Sequence, residues 1–103
     1  MEFHQLIDRA LAFRAQYAEL ERRNYGRAWT NEELALGFVG DVGDLVNLVM
    51  AQNGRCNIPD AKEKLAHELA DCLWSVIVLV RVHEIDLERA FLQTMDELER
   101  QIA

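Results

Sequence analysis

The stretch GDVGDLVNLVM, residues 40–50, combines the apolar pattern of a buried helix with two acidic residues. Asp41 lies in a lane of residues spaced by four, three, four and three positions, the spacing of one helical stripe: Leu34, Phe38, Asp41, Leu45 and Leu48. Asp44, three residues later, points to nearly the same side. A helix that buries this stripe therefore carries two carboxylates beside it.

A second acidic pair lies in a later segment that the sequence also predicts to be a helix. Glu68 shares a helical lane with four other residues, Leu65, Cys72, Ser75 and Leu79, and Asp71 follows three positions later. The residues between the two pairs leave room for the rest of one helix, a loop and a return. Two antiparallel helices would therefore bring all four carboxylates together.

Solvated rim positions of an acidic protein are the simplest explanation for any single aspartate, but two matching pairs favour a function. Like charges at helical neighbour spacing destabilise by roughly 0.2–0.5 kcal/mol per pair even when exposed. Protonation, a cationic side chain or a metal could compensate buried carboxylates. No Lys or Arg lies within either acidic segment on the same face, because Lys62 and Lys64 precede the second pair and Arg81 follows it. A hard divalent cation such as Mg²⁺ is the natural partner.

A di-iron centre is the nearest alternative for such a cluster. It would need Glu-x-x-His on two helices, whereas His67 directly precedes Glu68 and cannot share its face. His4 and His83 lie far along the chain. We therefore expect the three histidines to be surface or packing residues.

The whole chain fits one all-α domain, residues 1–103, with one proline and 50% apolar residues. Helices are predicted over about 2–23, from a cap at Thr30 to 52, over 61–83 after a cap at Asp60, and from 86 or 87 to the end. The first helix has one apolar stripe: Phe3, Leu6, Ala10, Phe13, Tyr17 and Leu20. The third is predicted to be a helix although the valines in 72–80 favour strands. Because it is apolar nearly all round, we expect it at the centre of a four-helix bundle and in a contact between subunits.

Charge and cysteine content narrow the class of protein. The net charge of −7 argues against a nucleic-acid or anionic-membrane surface. Cys56 and Cys72 form no CxxC motif, which favours free thiols in the cytoplasm. Residues 1–10 lack the pattern of a secretion signal, and the longest apolar stretch, 72–80, is too short to span a bilayer.

The two acidic motifs, GDVGDL (40–45) and HELADCL (67–73), resemble the ExxE…ExxD signature of the MazG-like, all-α nucleotide pyrophosphohydrolases. The resemblance covers roughly residues 30–100 and is closest to the small dCTP-pyrophosphatase branch. It implies a cytoplasmic homo-oligomer, a dimer or tetramer, that uses Mg²⁺, with Mn²⁺ as an alternative. The implied reaction splits a nucleoside triphosphate into a monophosphate and pyrophosphate, as nucleotide-pool housecleaning.

Position by position, the resemblance implies that Asp41, Asp44, Glu68 and Asp71 are metal ligands. It also implies that Asp41 takes a proton from the attacking water. Both acids of the first motif are Asp where the family has Glu, so each carboxylate is one methylene shorter.

The nucleotide site departs further from the family pattern. Thr94 and Leu98 stand where the family usually has a Lys and an Asn, Ala51 where the dCTP branch has a base-packing Trp, and Ser75 where it has a Tyr. The candidates for substrate binding that remain are Trp29 and Arg100, and further possible phosphate partners are Lys62, Lys64 and Arg81. Trp74 is expected to be a core residue. These departures keep a second hypothesis open, a non-catalytic helical oligomer that retains a metal or nucleotide site for regulation.

Overall fold

Four α-helices make up most of residues 2–103, the part of the chain that the computed structural model describes. They are α1 (Phe3–Tyr25), α2 (Asn31–Gln52), α3 (Ala61–Val82) and α4 (Leu87–Ile102). Within this part of the chain there is no β-strand. The all-α prediction is confirmed, and the valine-rich stretch 72–80 lies inside α3, where its helical stripe outweighs its strand propensity.

Two of the helix starts are capped by side chains, and the cap of α2 is the predicted one. The Thr30 hydroxyl accepts a hydrogen bond from the Glu33 backbone N–H at 3.2 Å, and Glu33 accepts one from the Thr30 N–H at 2.9 Å, a capping box. At α4, the Asp86 carboxylate accepts from the Arg89 N–H at 3.1 Å. Each carboxylate or hydroxyl satisfies a backbone donor that the first helical turn leaves free.

Two other helix ends differ from the prediction. Asp60 precedes α3, but its backbone has a φ of 56° and its side chain makes no capping hydrogen bond. The first helix continues to Tyr25 and ends at Gly26, whose φ of 83° is a left-handed conformation that glycine adopts without a steric cost. The helix therefore runs two residues past its predicted end at about residue 23.

The main contact in the chain is between α2 and α3. Leu48 lies at the same end of the pair as Lys64, and Leu34 at the same end as Trp74, so the two helices run antiparallel as predicted. Leu48 of α2 and Ile77 and Val78 of α3 are the buried apolar residues. This pairing holds both acidic motifs in place.

The face of α1 that packs against α3 only partly coincides with the predicted apolar stripe. Its predicted apolar stripe is half exposed, apart from the more covered Ala10. The more covered side is a parallel lane that contains two charged residues: Ile7, Leu11, Arg14, Ala18 and Glu21. On α3, the Trp74 indole N–H donates to the carbonyl oxygen of Ala10 at 3.1 Å. The contact partner, rather than hydropathy alone, decides which face of α1 is covered.

The single chain leaves much apolar surface uncovered. No residue of α4 is buried, and α2 has an exposed apolar stripe made of Val39, Val42, Val46 and Val49. The radius of gyration is 16.4 Å, whereas a compact domain of this length has one of about 13 Å. The helices are therefore more open than those of a self-sufficient domain.

By length and composition, α2 meets the criteria for a membrane span, with 22 residues and a mean hydropathy of 1.6. Core helices of soluble proteins pass the same test. Asp41 and Asp44 lie near the middle of α2, and in hydrocarbon each would cost roughly 3 kcal/mol. Packing of α2 along α3 accounts for one side of its apolar surface instead.

Candidate metal centre and adjoining cavity

Three of the four predicted ligands form one group. Carboxylate oxygens of Asp41, Asp44 and Glu68 all lie within 4.8 Å of one another. Asp41 and Asp44 are one helical turn apart on α2, and Glu68 faces them from α3. Three carboxylates at this separation repel one another unless a proton or a cation joins them.

Within this group, Glu68 has a carboxylate oxygen that the fold leaves unsatisfied. Its Oε1 atom is buried and accepts no hydrogen bond from any of residues 2–103. Burial, followed by the charges of Asp41, Asp71 and Asp44, raises the pKa of the Glu68 carboxyl above its ordinary value of 4.5. A buried acceptor without a donor is unfavourable, and a hard cation would satisfy it, so the donor set fits a divalent metal.

Asp71 lies outside this group of three. Its Oδ2 atom is 3.3 Å from Nε2 of His67, one turn earlier on α3. The imidazole is largely exposed, as predicted for a surface residue, yet it contacts a predicted ligand. The charge of Asp71 still acts on Glu68, so the fourth carboxylate is near the group without belonging to it.

A cavity of about 620 Å³ adjoins the acidic group. Asp41 and Asp71 line it together with five aromatic residues, Phe13, Tyr17, Trp29, Phe38 and Trp74. The ring of Phe13 lies 5.8 Å from those of Tyr17 and Trp74. The cavity thus has aromatic walls and an acidic edge.

The predicted substrate residues have different positions in the structure. Trp29 lines the cavity, and its indole lies so close to Gly37 that a Cβ there would be 3.1 Å from Cζ3. Arg100 is exposed on α4 and lines neither this cavity nor the smaller one described below. Trp74, expected in the core, packs against Phe13 and also lines the cavity.

Two residues of the cavity wall were missed by sequence reasoning. Glu21 is only 2% exposed, and its carboxylate accepts two hydrogen bonds from Arg14, each 3.0 Å long. It also accepts the backbone N–H of Trp29 at 2.8 Å. The Arg14 hydrogen bonds, with help from the Trp29 N–H, hold the pKa of Glu21 below its ordinary value. The available signal was the lane that places both charges on one face of α1.

A second, smaller cavity of about 410 Å³ lies beside Glu68. Lys64, His67 and Asp60 line it with three further residues, Leu48, Glu63 and Glu68. Lys64 thus places a cationic side chain beside the acidic group, where the sequence had suggested a possible phosphate partner.

Comparison with protein families gives one match. The model of the MazG nucleotide pyrophosphohydrolase domain matches residues 29–101. The chain belongs to the MazG nucleotide pyrophosphohydrolase family. Comparisons with curated proteins and with solved structures gave no match.

The family assignment confirms the resemblance found in the sequence and covers 29–101, which includes both acidic pairs and Trp29. Because MazG-family proteins are nucleoside triphosphate pyrophosphohydrolases, the assignment supports an activity on acid anhydrides of phosphorus at the level of the family. Arg14 and Glu21 lie before the matched residues, on α1. They belong to the part of the cavity that the family match does not describe.

Proposed function

We propose that this MazG-family protein is a Mg²⁺-dependent nucleoside triphosphate pyrophosphohydrolase that converts a (d)NTP and water into a (d)NMP and pyrophosphate. The observation that carries the proposal is the buried Oε1 atom of Glu68, which has no donor and lies among two further carboxylates. These carboxylates adjoin a cavity large enough for a nucleoside. Nucleotide-pool housecleaning is the proposed role.

Asp41, Asp44 and Glu68 would hold the cation, with Asp71 as a fourth ligand when it leaves His67. An all-carboxylate donor set suits Mg²⁺, and Mn²⁺ is the alternative. The bound ion would polarise the α-phosphorus and lower the pKa of a coordinated water. The shorter Asp side chains of α2 are compatible with this, because their oxygens already come within 4.8 Å of Glu68.

Asp41 is the proposed proton acceptor because it belongs both to the acidic group and to the wall of the aromatic cavity. In the reaction, the oxygen of water bonds to the α-phosphorus. The bond from that phosphorus to the bridging oxygen of pyrophosphate breaks, and the water gives up its proton. A carboxylate oxygen within hydrogen-bonding reach of the water accepts that proton.

The aromatic cavity would hold the nucleoside part of the substrate. Trp29 is the proposed stacking residue, since its indole is fixed against Gly37 one helical turn before Asp41. Stacking on an aromatic ring is worth about 1–3 kcal/mol per base. Arg100 remains a proposed phosphate contact, and because it lies away from the cavity of its own chain, it would act from a second copy.

We further propose that the protein is a homo-oligomer, a dimer or a tetramer. The exposed stripe of α2, the lack of a buried residue on α4 and the open shape of the chain support this. A subunit of this size has little core of its own. Light scattering at micromolar concentration tests the proposal, and a stable folded monomer would reject it.

One MazG-like domain, residues 1–103, is the proposed organisation, and the cytoplasm is the proposed compartment. Cys56 and Cys72 are both free thiols, which is compatible with a reducing environment.

The alternative function is a non-catalytic helical oligomer that keeps the metal or nucleotide site for regulation. Thr94 favours it: the family has a nucleotide-binding Lys there, and the Thr94 hydroxyl instead donates to the Ala90 carbonyl within α4 at 2.8 Å. The equivalent of the family's Asn, Leu98, is apolar.

A panel of canonical and modified dNTPs and NTPs with Mg²⁺ or Mn²⁺, scored for pyrophosphate release, separates the two functions. Release from at least one triphosphate, dependent on the cation and lost in Asp41→Asn, supports the enzyme. Asp96→Asn, an exposed aspartate on α4, is the matched control. Cation-dependent nucleotide binding without release would support the regulatory alternative.

A further inference from the structure

Arg14 and Glu21 form a buried ion pair that the proposed chemistry does not use. Glu21 is the buried charged residue of the described chain, and the Arg14 side chain is 13% exposed. Both line the aromatic cavity beside Asp41 and Asp71. An ion pair in such a place is expensive to desolvate, and it adds little stability over a well-packed apolar pair. Its position in the cavity wall suggests a role toward the ligand.

Most of the hydrogen-bonding groups that the pair leaves unused are donors on Arg14. Of the five N–H bonds of a guanidinium, one on each terminal nitrogen of Arg14 points to Glu21. The remaining donors, including the parallel N–H pair on the Nε side, make no side-chain or backbone contact within residues 2–103. The Glu21 oxygens already accept three hydrogen bonds. Because Arg14 lines the cavity and Glu21 holds its guanidinium, we infer that this fork of donors is available to a ligand in the cavity.

Glu21 also positions the stacking surface. It accepts the Trp29 backbone N–H, which ties the loop after α1 to the same carboxylate that orients Arg14. The Trp29 indole then lies against Gly37. One buried carboxylate thus fixes both an aromatic face and a donor fork in a single cavity, which is the combination needed to stack a base and to bind its edge.

We propose that Arg14 determines base specificity in this protein, and that Glu21 is the positioning residue that orients it. The inference rests on the proposed function in taking the aromatic cavity as the nucleoside site. A donor fork pairs with two adjacent acceptors, such as O6 and N7 of guanine or O2 and N3 of cytosine. On the edges of adenine and thymine, the neighbour of an acceptor is a donor. The fork can therefore make one hydrogen bond to these bases and not two.

The test is the binding of the four deoxynucleoside monophosphates to the full chain, measured by calorimetry without a divalent cation. The wild type is expected to bind dGMP or dCMP about 5- to 100-fold more tightly than dAMP and dTMP. Arg14→Lys, which keeps the charge but loses the planar fork, is expected to remove this preference. If 7-deaza-dGMP binds as weakly as dAMP, guanine is bound through N7.

Arg22→Gln is the matched control, because the Arg22–Glu19 pair is an exposed ion pair on the same helix. It is expected to leave the base ranking unchanged. Glu21→Gln is expected to weaken the ranking, whereas a merely structural Glu21 would change the melting temperature alone. If a single variant unfolds, Arg14→Gln with Glu21→Gln replaces the ion pair by two amides of similar shape and carries the test.

Three results would overturn the inference: no base preference in the wild type, no binding of any monophosphate, or an equal loss for all four bases in Arg14→Lys. The last would make Arg14 a phosphate contact. Selective monophosphate binding without pyrophosphate release would sustain the inference and reject the proposed enzyme. Pyrophosphate release with the same base ranking in wild type and Arg14→Lys would reject the inference alone.

Discussion

Glu21, which is buried, and Glu68, which has one buried carboxylate oxygen, have opposite surroundings. Glu21 accepts three hydrogen bonds, two from Arg14 and one from the Trp29 backbone, and its pKa is lowered. Glu68 has a buried oxygen without a donor and two anionic neighbours, and its pKa is raised. The folded chain therefore supplies hydrogen-bond donors to the carboxylate of Glu21 and leaves an oxygen of the Glu68 carboxylate without one.

The difference shows which carboxylate is compensated by the fold itself and which one needs a bound cation or a proton. A buried charge that is paired and hydrogen-bonded supports the fold, because removing it leaves its partner buried and unpaired. An unsatisfied one opposes folding until a cation or a proton arrives. We therefore infer that the acidic group of α2 and α3 needs a bound cation, whereas the Arg14–Glu21 pair is completed by folding and keeps only the unused N–H groups of Arg14 for a ligand.

The largest effect is expected from removing the proposed proton acceptor. Asp41→Asn should lower pyrophosphate release by about 10²- to 10⁴-fold. The metal-free protein should fold as well as the wild type or better, because one charge leaves a repulsive group. Steady-state kinetics with the best triphosphate and urea unfolding with EDTA measure both quantities. Full activity in Asp41→Asn would remove Asp41 from the mechanism, and Asp96→Asn controls for a general loss of charge.

The next largest effect is on stability and is expected from removing the buried carboxylate of Glu21. Glu21→Ala should lower the free energy of unfolding by about 3 kcal/mol, because Arg14 would remain largely buried without its partner. Glu19→Ala, which breaks the exposed pair with Arg22, should cost less than about 1 kcal/mol. Urea unfolding at pH 7 gives both values. Equal costs for the two variants would contradict the contrast between a completed buried pair and a surface pair.

Divalent cations should act on one carboxylate site only. Mg²⁺ or Mn²⁺ at about 100 times its dissociation constant should raise the free energy of unfolding by about 2.7 kcal/mol. Glu68→Gln should abolish this gain, and Glu21→Gln should keep it. Thermal melts with the cation and with EDTA measure the effect. An unchanged melting curve in the wild type would reject the metal site.

The acidic motifs could be predicted from the sequence because the anomaly is local. Asp41 and Glu68 interrupt apolar lanes that are otherwise regular, and helix periodicity alone places them on inward faces. Antiparallel pairing of two consecutive helices then follows from the short loop between them. The fold class and the site's three closest carboxylates needed no further information.

The Arg14–Glu21 pair could not be predicted in the same way. The first helix has two adjacent lanes with helical spacing, and the more apolar one was the natural choice for the core. Which lane is covered depends on how α1 docks on α3, for example through Trp74 and Ala10. The contact of His67 with Asp71 is likewise a matter of side-chain conformation, which residue spacing permits but does not determine.

The smallest expected effect is the pH dependence of the Glu21 contribution. A pKa below 4.5 in the fold means that the unfolded chain binds more protons at Glu21, so stability rises with pH through this range. The contribution is therefore complete above about pH 4.5 and is lost as the pH falls through the folded-state pKa. The wild type should exceed Glu21→Gln by about 1–2 kcal/mol at pH 7. In urea unfolding from pH 7 to pH 3, that gap should stay constant to about pH 5 and then close. A gap as large at pH 3 as at pH 7, or one that opens only in acid, would mean that ionised Glu21 is not what holds Arg14 and Trp29 together.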